Sequence, residues 1–250
     1  MRRNDLIDYI NKYLAVEAFK DYAPNGLQVE GTDEVNRIVL GVTASQALLE
    51  QAVAQRADMI LVHHGWFWRG EPSVVVGMKK RRLATLLAHN INLAAYHLPL
   101  DAHTEIGNNA QLGMRLGFKP LYQTGEMNLV WVGEPLTEGL TASSLIERVT
   151  TVLERAPSVM GPTDKPLKKI AWCTGAAQDF LSVALEEGCD AYISGEVSER
   201  TFHEAQENDI LYVAAGHHAT ERFGIQALGD HLLQTFPELS IQYQEINNPV

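Results

Sequence analysis

The spacing of apolar residues changes several times along the chain, and each change predicts an element. Leu6, Ile7, Ile10, Tyr13 and Leu14 recur at helical spacing among polar neighbours, which predicts an amphipathic helix at the start. Tyr22 to Val29 reads as a turn around Pro24, Asn25 and Gly26 that runs into an extended segment. Apolar runs then predict strands over 37–42, 58–62 and 91–96, separated by helices over 45–56 and 79–90. Farther on, the pattern predicts a strand over 128–133 and a helix over 142–153. A turn-rich connection through Pro157, Gly161, Pro162 and Pro166 follows. Strands alternating with helices predict an α/β fold whose functional residues gather at strand ends.

This pattern occurs twice. Segments 38–46 (IVLGVTASQ) and 170–178 (IAWCTGAAQ) align without a gap, and the register continues to Asp58 and Asp190 at a constant offset of 132. In that register His64 falls opposite Glu196. His97 and Asp101 follow one apolar strand as His217 and Glu221 follow another, over 210–215. Either any two strand-helix-strand units look this much alike, or an internal duplication is present, in which two similar α/β lobes are expected to contribute strand ends to a shared cleft. The lobes are expected over 1–125 and 126–250.

Composition narrows the class. In 250 residues, a net charge of -11 argues against broad affinity for nucleic acid or anionic membrane. Cys173 and Cys189 both lie in apolar segments, so no disulfide framework is expected and a reducing cytoplasm fits. No apolar run approaches the ~20 residues of a spanning helix. The start has no continuous apolar stretch of the kind a signal peptide needs, because Asp5, Asp8 and Lys12 interrupt it.

Six residues at strand ends or helix starts carry the candidate chemistry: His63, His64, His97, Asp101, His217 and Glu221. Imidazole with carboxylate suits zinc, iron, manganese or cobalt. A carboxylate can bridge two cations, and two neighbouring cations can clamp a water and stabilise an oxyanion. On a helix His217 shares a face with Glu221, and His218 nearly as well, so spacing does not choose between them. Neighbours on an extended backbone point in opposite directions, so His63 and His64 are expected to diverge. Glu196 and Glu199 offer either a general acid or base or a structural role. Trp66-Phe67-Trp68 offers either a stacking wall for a purine or packing surface. Lys79-Lys80-Arg81-Arg82 offers a phosphate grip, a lining for nucleic acid or a solvated helix face.

Several short motifs occur together here: Asn25-Gly26-Leu27-Gln28-Val29, Val62-His63-His64-Gly65, His97-Leu98-Pro99-Leu100-Asp101, Gly107-Asn108-Asn109, Ser194-Gly195-Glu196 and Gly216-His217-His218-Ala219-Thr220-Glu221. Through them the chain resembles, over nearly its whole length, the GTP cyclohydrolase I type 2 homologues, also called the Ngg-interacting-factor-like family. The match is to its short bacterial members. The resemblance implies a dinuclear site with His64 and Asp101 on one metal, His63 and His217 on the other, and Glu221 bridging. Iron, zinc or manganese are the implied metals, and His63 and His64 would then not share a cation. It also implies a toroidal homohexamer. The expected function is a GTP cyclohydrolase-like hydrolase that acts on a nucleotide or related heterocycle through a metal-bound hydroxide, with His97 or Glu196 moving protons. The alternative is a non-catalytic ring-shaped metal-handling or scaffold protein whose pore accepts single-stranded nucleic acid.

Overall fold

The computed structural model describes residues 1–250. The chain runs through α1 (Arg3–Tyr13), β1 (Gly26–Val29), β2 (Arg37–Thr43), α2 (Gln46–Ala54), β3 (Met59–His64), α3 (Gly77–His89), β4 (Asn92–Ala95) and α4 (Leu98–Ala102). Next come α5 (Asn108–Arg115), β5 (Phe118–Thr124), β6 (Val130–Pro135), α6 (Ala142–Leu153), β7 (Ser158–Met160), β8 (Ile170–Cys173) and α7 (Leu181–Glu186). The last elements are β9 (Ala191–Ser194), α8 (Glu199–Glu207), β10 (Leu211–Ala214), α9 (His217–Thr220), α10 (Arg222–Thr235) and β11 (Ser240–Tyr243).

Two compact units form, and they do not part at residue 125. One comprises residues 1–100 and 224–247, the other 101–223 and 248–250. Strand pairing explains the departure. β5, which precedes the expected boundary, pairs with β6 of the second sheet, and the C-terminal β11 pairs with β2 of the first.

The first sheet has the order β1-β4-β3-β2-β11. β2, β3, β4 and β11 run parallel, while β1 is antiparallel to β4. β3 is buried from Met59 to His63 and β4 throughout, as expected of parallel strands covered on both faces. Leu48, Leu49 and Ala52 of α2 supply a buried stripe that packs with Val39, Ile60, Val62 and Leu93. Ser45 caps this helix by accepting from the Leu48 N–H.

The second sheet has the order β5-β6-β8-β9-β10-β7. Its core surrounds the fully buried Trp172, whose ring centroid lies 5.3 Å from Phe118 and 5.9 Å from Trp131.

The duplication is visible in these sheets. β1-β4-β3-β2 and β7-β10-β9-β8 share one order, with three parallel strands and an antiparallel edge. Asp58 Oδ2 accepts from the backbone N–H groups of Asn36 and Arg37 at 2.9 and 2.8 Å. Asp190 Oδ2 does the same for Lys168 and Lys169 at 2.7 and 2.9 Å. Each carboxylate clamps the start of the first parallel strand of its repeat. The antiparallel edge β7 lies in the segment the sequence reads as a turn-rich connection. No helix is long and apolar enough to cross a membrane.

Candidate metal centre

In the first unit, parallel strands deliver three imidazoles to one sheet edge. His63 and His64 end β3, His97 follows β4, and their ring nitrogens lie within 4.8 Å of one another. His63 is fully buried and its Nδ1 donates to the Tyr96 carbonyl at 2.9 Å. A carbonyl only accepts, so Nδ1 carries a proton, and in the neutral ring the lone pair is then at Nε2. His64 Nδ1 lies 3.3 Å from Thr43 Oγ1. The rings of His63 and His64 do not diverge to opposite faces, for their centroids are only 4.4 Å apart. His64 is the last residue of β3 and precedes Gly65, so the pleat that enforces alternation ends there.

His97 is held by residues that sequence reading missed. Its Nδ1 donates to Asp21 Oδ1 at 2.7 Å, and its backbone N–H donates to Asn25 Oδ1 at 2.7 Å. Asp21 Oδ2 accepts from Asn25 Nδ2 at 2.8 Å and from the Leu98 N–H at 3.0 Å. Burial works against the Asp21 charge, yet the bond and charge of His97, with Asn25 and the Tyr22 N–H, outweigh it and hold the carboxyl at about 2. Asp21 is 76 residues from its partner, and only the turn residues Asn25 and Gly26 hint at a fixed structure there.

In the second unit, carboxylates predominate. Asp101 is buried in α4, where its Oδ1 accepts from Asn108 Nδ2 at 2.8 Å and Thr174 Oγ1 at 3.4 Å. Carboxylate oxygens of Asp101 and Glu221 lie within 4.8 Å of each other. α9 is a single turn with Glu221 at its C-cap, and His217 Nε2 lies 3.1 Å from Glu221 Oε2. His217 and Glu221 fall together in a group that could hold a metal ion, while His218 is buried and donates its backbone N–H to the Val250 carbonyl. His217 Nδ1 donates to Glu196 Oε1 at 2.6 Å. Burial opposes a charge on His217, but Glu221 and then Glu196 lift its pKa to about 9. The second glutamate considered from sequence, Glu199, instead pairs with His203 along α8.

Gly175 makes room for this arrangement. It follows β8 with φ +71, and a Cβ there would overlap Glu221 Oε1 and lie 3.4 Å from His217 Nε2. Cys173, two residues before it, is a buried thiol whose pKa is pushed well up by burial, then by the Asp101 and Glu221 charges. It stays neutral as part of the core.

Both groups of side chains are of a kind that could hold a metal ion, by donor chemistry and by support. Metal-binding imidazoles are oriented by a hydrogen bond at the other ring nitrogen. The Tyr96 carbonyl does this for His63 and Glu196 for His217.

The aromatic run divides its roles. Trp66 is buried, with Nε1 donating to the Ala44 carbonyl at 2.9 Å, whereas the partly exposed Trp68 ring lies 4.9 Å from His97 and 6.0 Å from His64. In the basic run, Lys80 and Arg81 are exposed, while Lys79 pairs with Glu71 at 3.7 Å. That run behaves as a largely solvated face of α3.

Comparison with known proteins gives one answer throughout the chain. The family described as Duf34/NIF3 (NGG1p interacting factor 3) matches residues 1–249. A protein of Pseudomonas aeruginosa named GTP cyclohydrolase 1 type 2 homolog is 52% identical over 234 residues, covering 92% of each chain. One of the same name from Yersinia pestis is 51% identical over 252 residues and covers 100% of both. Among solved structures, protein ybgI, described as of unknown function, superposes with a TM-score of 0.95 at 48% identity, with 100% of both chains covered. A protein of Thermus thermophilus superposes at 0.89 with 33% identity, again over 100% of both chains.

Proposed function

We propose, for a chain that belongs to the Duf34/NIF3 (NGG1p interacting factor 3) family, a metal-dependent hydrolase acting on a nucleotide or related heterocycle. The observation that carries this reading is the support behind the donors: His63, His217 and Asp101 are each buttressed through an atom of their own by a carbonyl, a carboxylate or an amide. Such prior orientation suits a working metal centre. In this reading the two donor sets serve one dinuclear centre. His63, His64, Asp101 and His217 would hold the cations, with Glu221 shared between them. The cations would supply Lewis acidity, making a water acidic enough to attack at neutral pH and balancing charge that develops on oxygen.

The protein's own residues do the rest. Asp21 fixes the His97 ring through Nδ1, which leaves Nε2 to accept or deliver a proton. Glu196, expected from sequence to move protons, is engaged with His217 and acts in this reading by positioning that imidazole. The names of the relatives direct the substrate choice toward GTP and similar nucleotides. Assembly into a toroidal homohexamer belongs to the same proposal, and its mass in solution checks it.

The decisive experiment pairs elemental analysis of protein purified without chelator with a nucleotide panel that includes GTP. Wild type should retain a pair of cations and hydrolyse one member. Glu221→Ala should lose metal and at least about 100-fold in turnover, as expected for a bridging ligand. Turnover unchanged by Glu221→Ala sinks the hydrolase. Retained metal with no turnover favours the metal-handling alternative.

A further inference from the structure

The internal repeat isolates one segment that the duplication does not explain. The offset between repeats is 132 through β3 and β9 but 120 at His97 and His217, so the first repeat is the longer one in between. Residues 65–76 separate β3 from α3, whereas only residues 195–198 separate β9 from α8. All three aromatics of the Trp66-Phe67-Trp68 run lie in this longer segment, immediately after the histidine pair.

The segment is tied down along its length. The Trp66 N–H donates to Gln28 Oε1 at 2.7 Å, and the Arg69 N–H donates to the Tyr22 carbonyl at 2.7 Å. Phe67 adopts φ +67, a left-handed conformation that costs a bulky residue free energy. Glu71 maintains it by accepting from the Phe67 N–H at 3.0 Å, and the Lys79 ammonium lies 5.2 Å from the Phe67 ring centroid. Reversal at Phe67 separates the fates of its neighbours: Trp66 goes into the core, and Trp68 comes to the imidazoles. Trp68 Nε1 donates to the Gly65 carbonyl at 3.2 Å, which fixes the plane of the indole. A strained turn that holds a large, partly exposed aromatic beside three clustered imidazoles serves no evident packing need.

We propose that Trp68 is the base-recognition wall of the site, against which the planar heteroaromatic ring of a purine nucleoside or nucleotide lies beside His64 and His97. The inference rests on the nucleotide reading above and adds the residue that selects the ring. Trp68 is a binding residue, and residues 65–76 exist to carry it. Stacking on an aromatic face is indifferent to phosphate, so its loss weakens nucleoside and nucleotide alike and leaves polyphosphate untouched.

The test is equilibrium dialysis of the metal-loaded full chain with three probes: guanosine, GTP and inorganic tripolyphosphate. Metal content is measured in each preparation. Trp68→Ala and Trp68→Leu should each weaken guanosine and GTP by about tenfold or more, the usual size of one stacking contact. Trp68→Phe should stay within about threefold of wild type, and tripolyphosphate should bind all four proteins equally. Trp68→Leu preserves apolar bulk, so a loss shared with Trp68→Ala and rescued by Trp68→Phe identifies the π face. Guanosine binding unchanged in Trp68→Ala overturns the inference, and so does a wild type that binds neither guanosine nor GTP. Trp68-dependent binding without turnover would sustain the inference while removing the hydrolase.

Discussion

Where β2 of the first repeat ends in Thr43, the second repeat has Gly175 after β8, and opposite His64 it has Glu196. Between these points the repeats keep the same order of strands and the same aspartate clamp, Asp58 in one and Asp190 in the other. The clamps satisfy backbone N–H groups at the start of a strand, and any change there removes the acceptor that two consecutive donors share. Strand ends carry no such duty and were able to diverge. One copy became rich in imidazole and the other in carboxylate. His97 and His217 illustrate the divergence at equivalent places: Asp21, on the chain before β1, backs the first, while Glu196, just after β9, backs the second.

The largest effect is expected from making the two ends alike. Gly175→Thr imports the first repeat's residue, places a Cβ onto Glu221 Oε1, and forces a β-branched residue into φ +71. The backbone cost alone is roughly 1–2 kcal/mol, and bound metal measured by elemental analysis should fall below half of wild type. The reciprocal Thr43→Gly should cost about 1 kcal/mol of stability and, by removing the hydroxyl 3.3 Å from His64 Nδ1, lower metal content less than Gly175→Thr does. Full metal retention in Gly175→Thr would erase the distinction between the ends.

A smaller effect concerns the support of His97. Asp21→Asn should destabilise the protein by about 2 kcal/mol, the worth of a charge-assisted bond that also orders its neighbours. The Asp21 carboxyl sits at about 2 in place of 3.8, so its stabilisation is full above 3.8 and disappears as pH falls toward 2. Urea unfolding should therefore show a constant gap between wild type and variant from neutral pH to about pH 5, narrowing below 4. A gap that widens with acid would contradict the assignment.

The smallest effect probes the helices after the aligned strands. Ser45 caps α2, while its counterpart Ala177 offers no hydroxyl and α7 has no side-chain cap. Ser45→Ala should cost about 1 kcal/mol, a Tm decrease of about 2–4 °C in a chain of this size. Its metal content should not change. Calorimetry beside elemental analysis would expose any hidden link between the cap and the metal centre.

Much of this was readable in advance because the signals are local. Continuous burial makes β3 and β4 apolar runs, and α6 follows its period over 142–153 as expected. β11 has a half-exposed pattern and β7 is only Ser158–Met160, so neither leaves a strong periodic trace. Both exist because a neighbouring strand supplies hydrogen-bond partners. The boundary expected at 125 fails for the same reason, since β5 and β11 each join a sheet that sequence order does not indicate.

By itself the sequence determined the repeat, the strands that lead into histidine, and which residues are candidate donors, because periodicity and chemical type are properties of neighbours along a chain. Tertiary structure alone decided that His63 and His64 lie close together, that Glu221 meets His217, and that Asp21 braces His97. It alone separated Trp66 in the core from Trp68 beside the imidazoles. Those outcomes depend on where a strand stops, on the φ of one residue, and on partners tens of residues away, and none of these leaves a periodic mark in the chain.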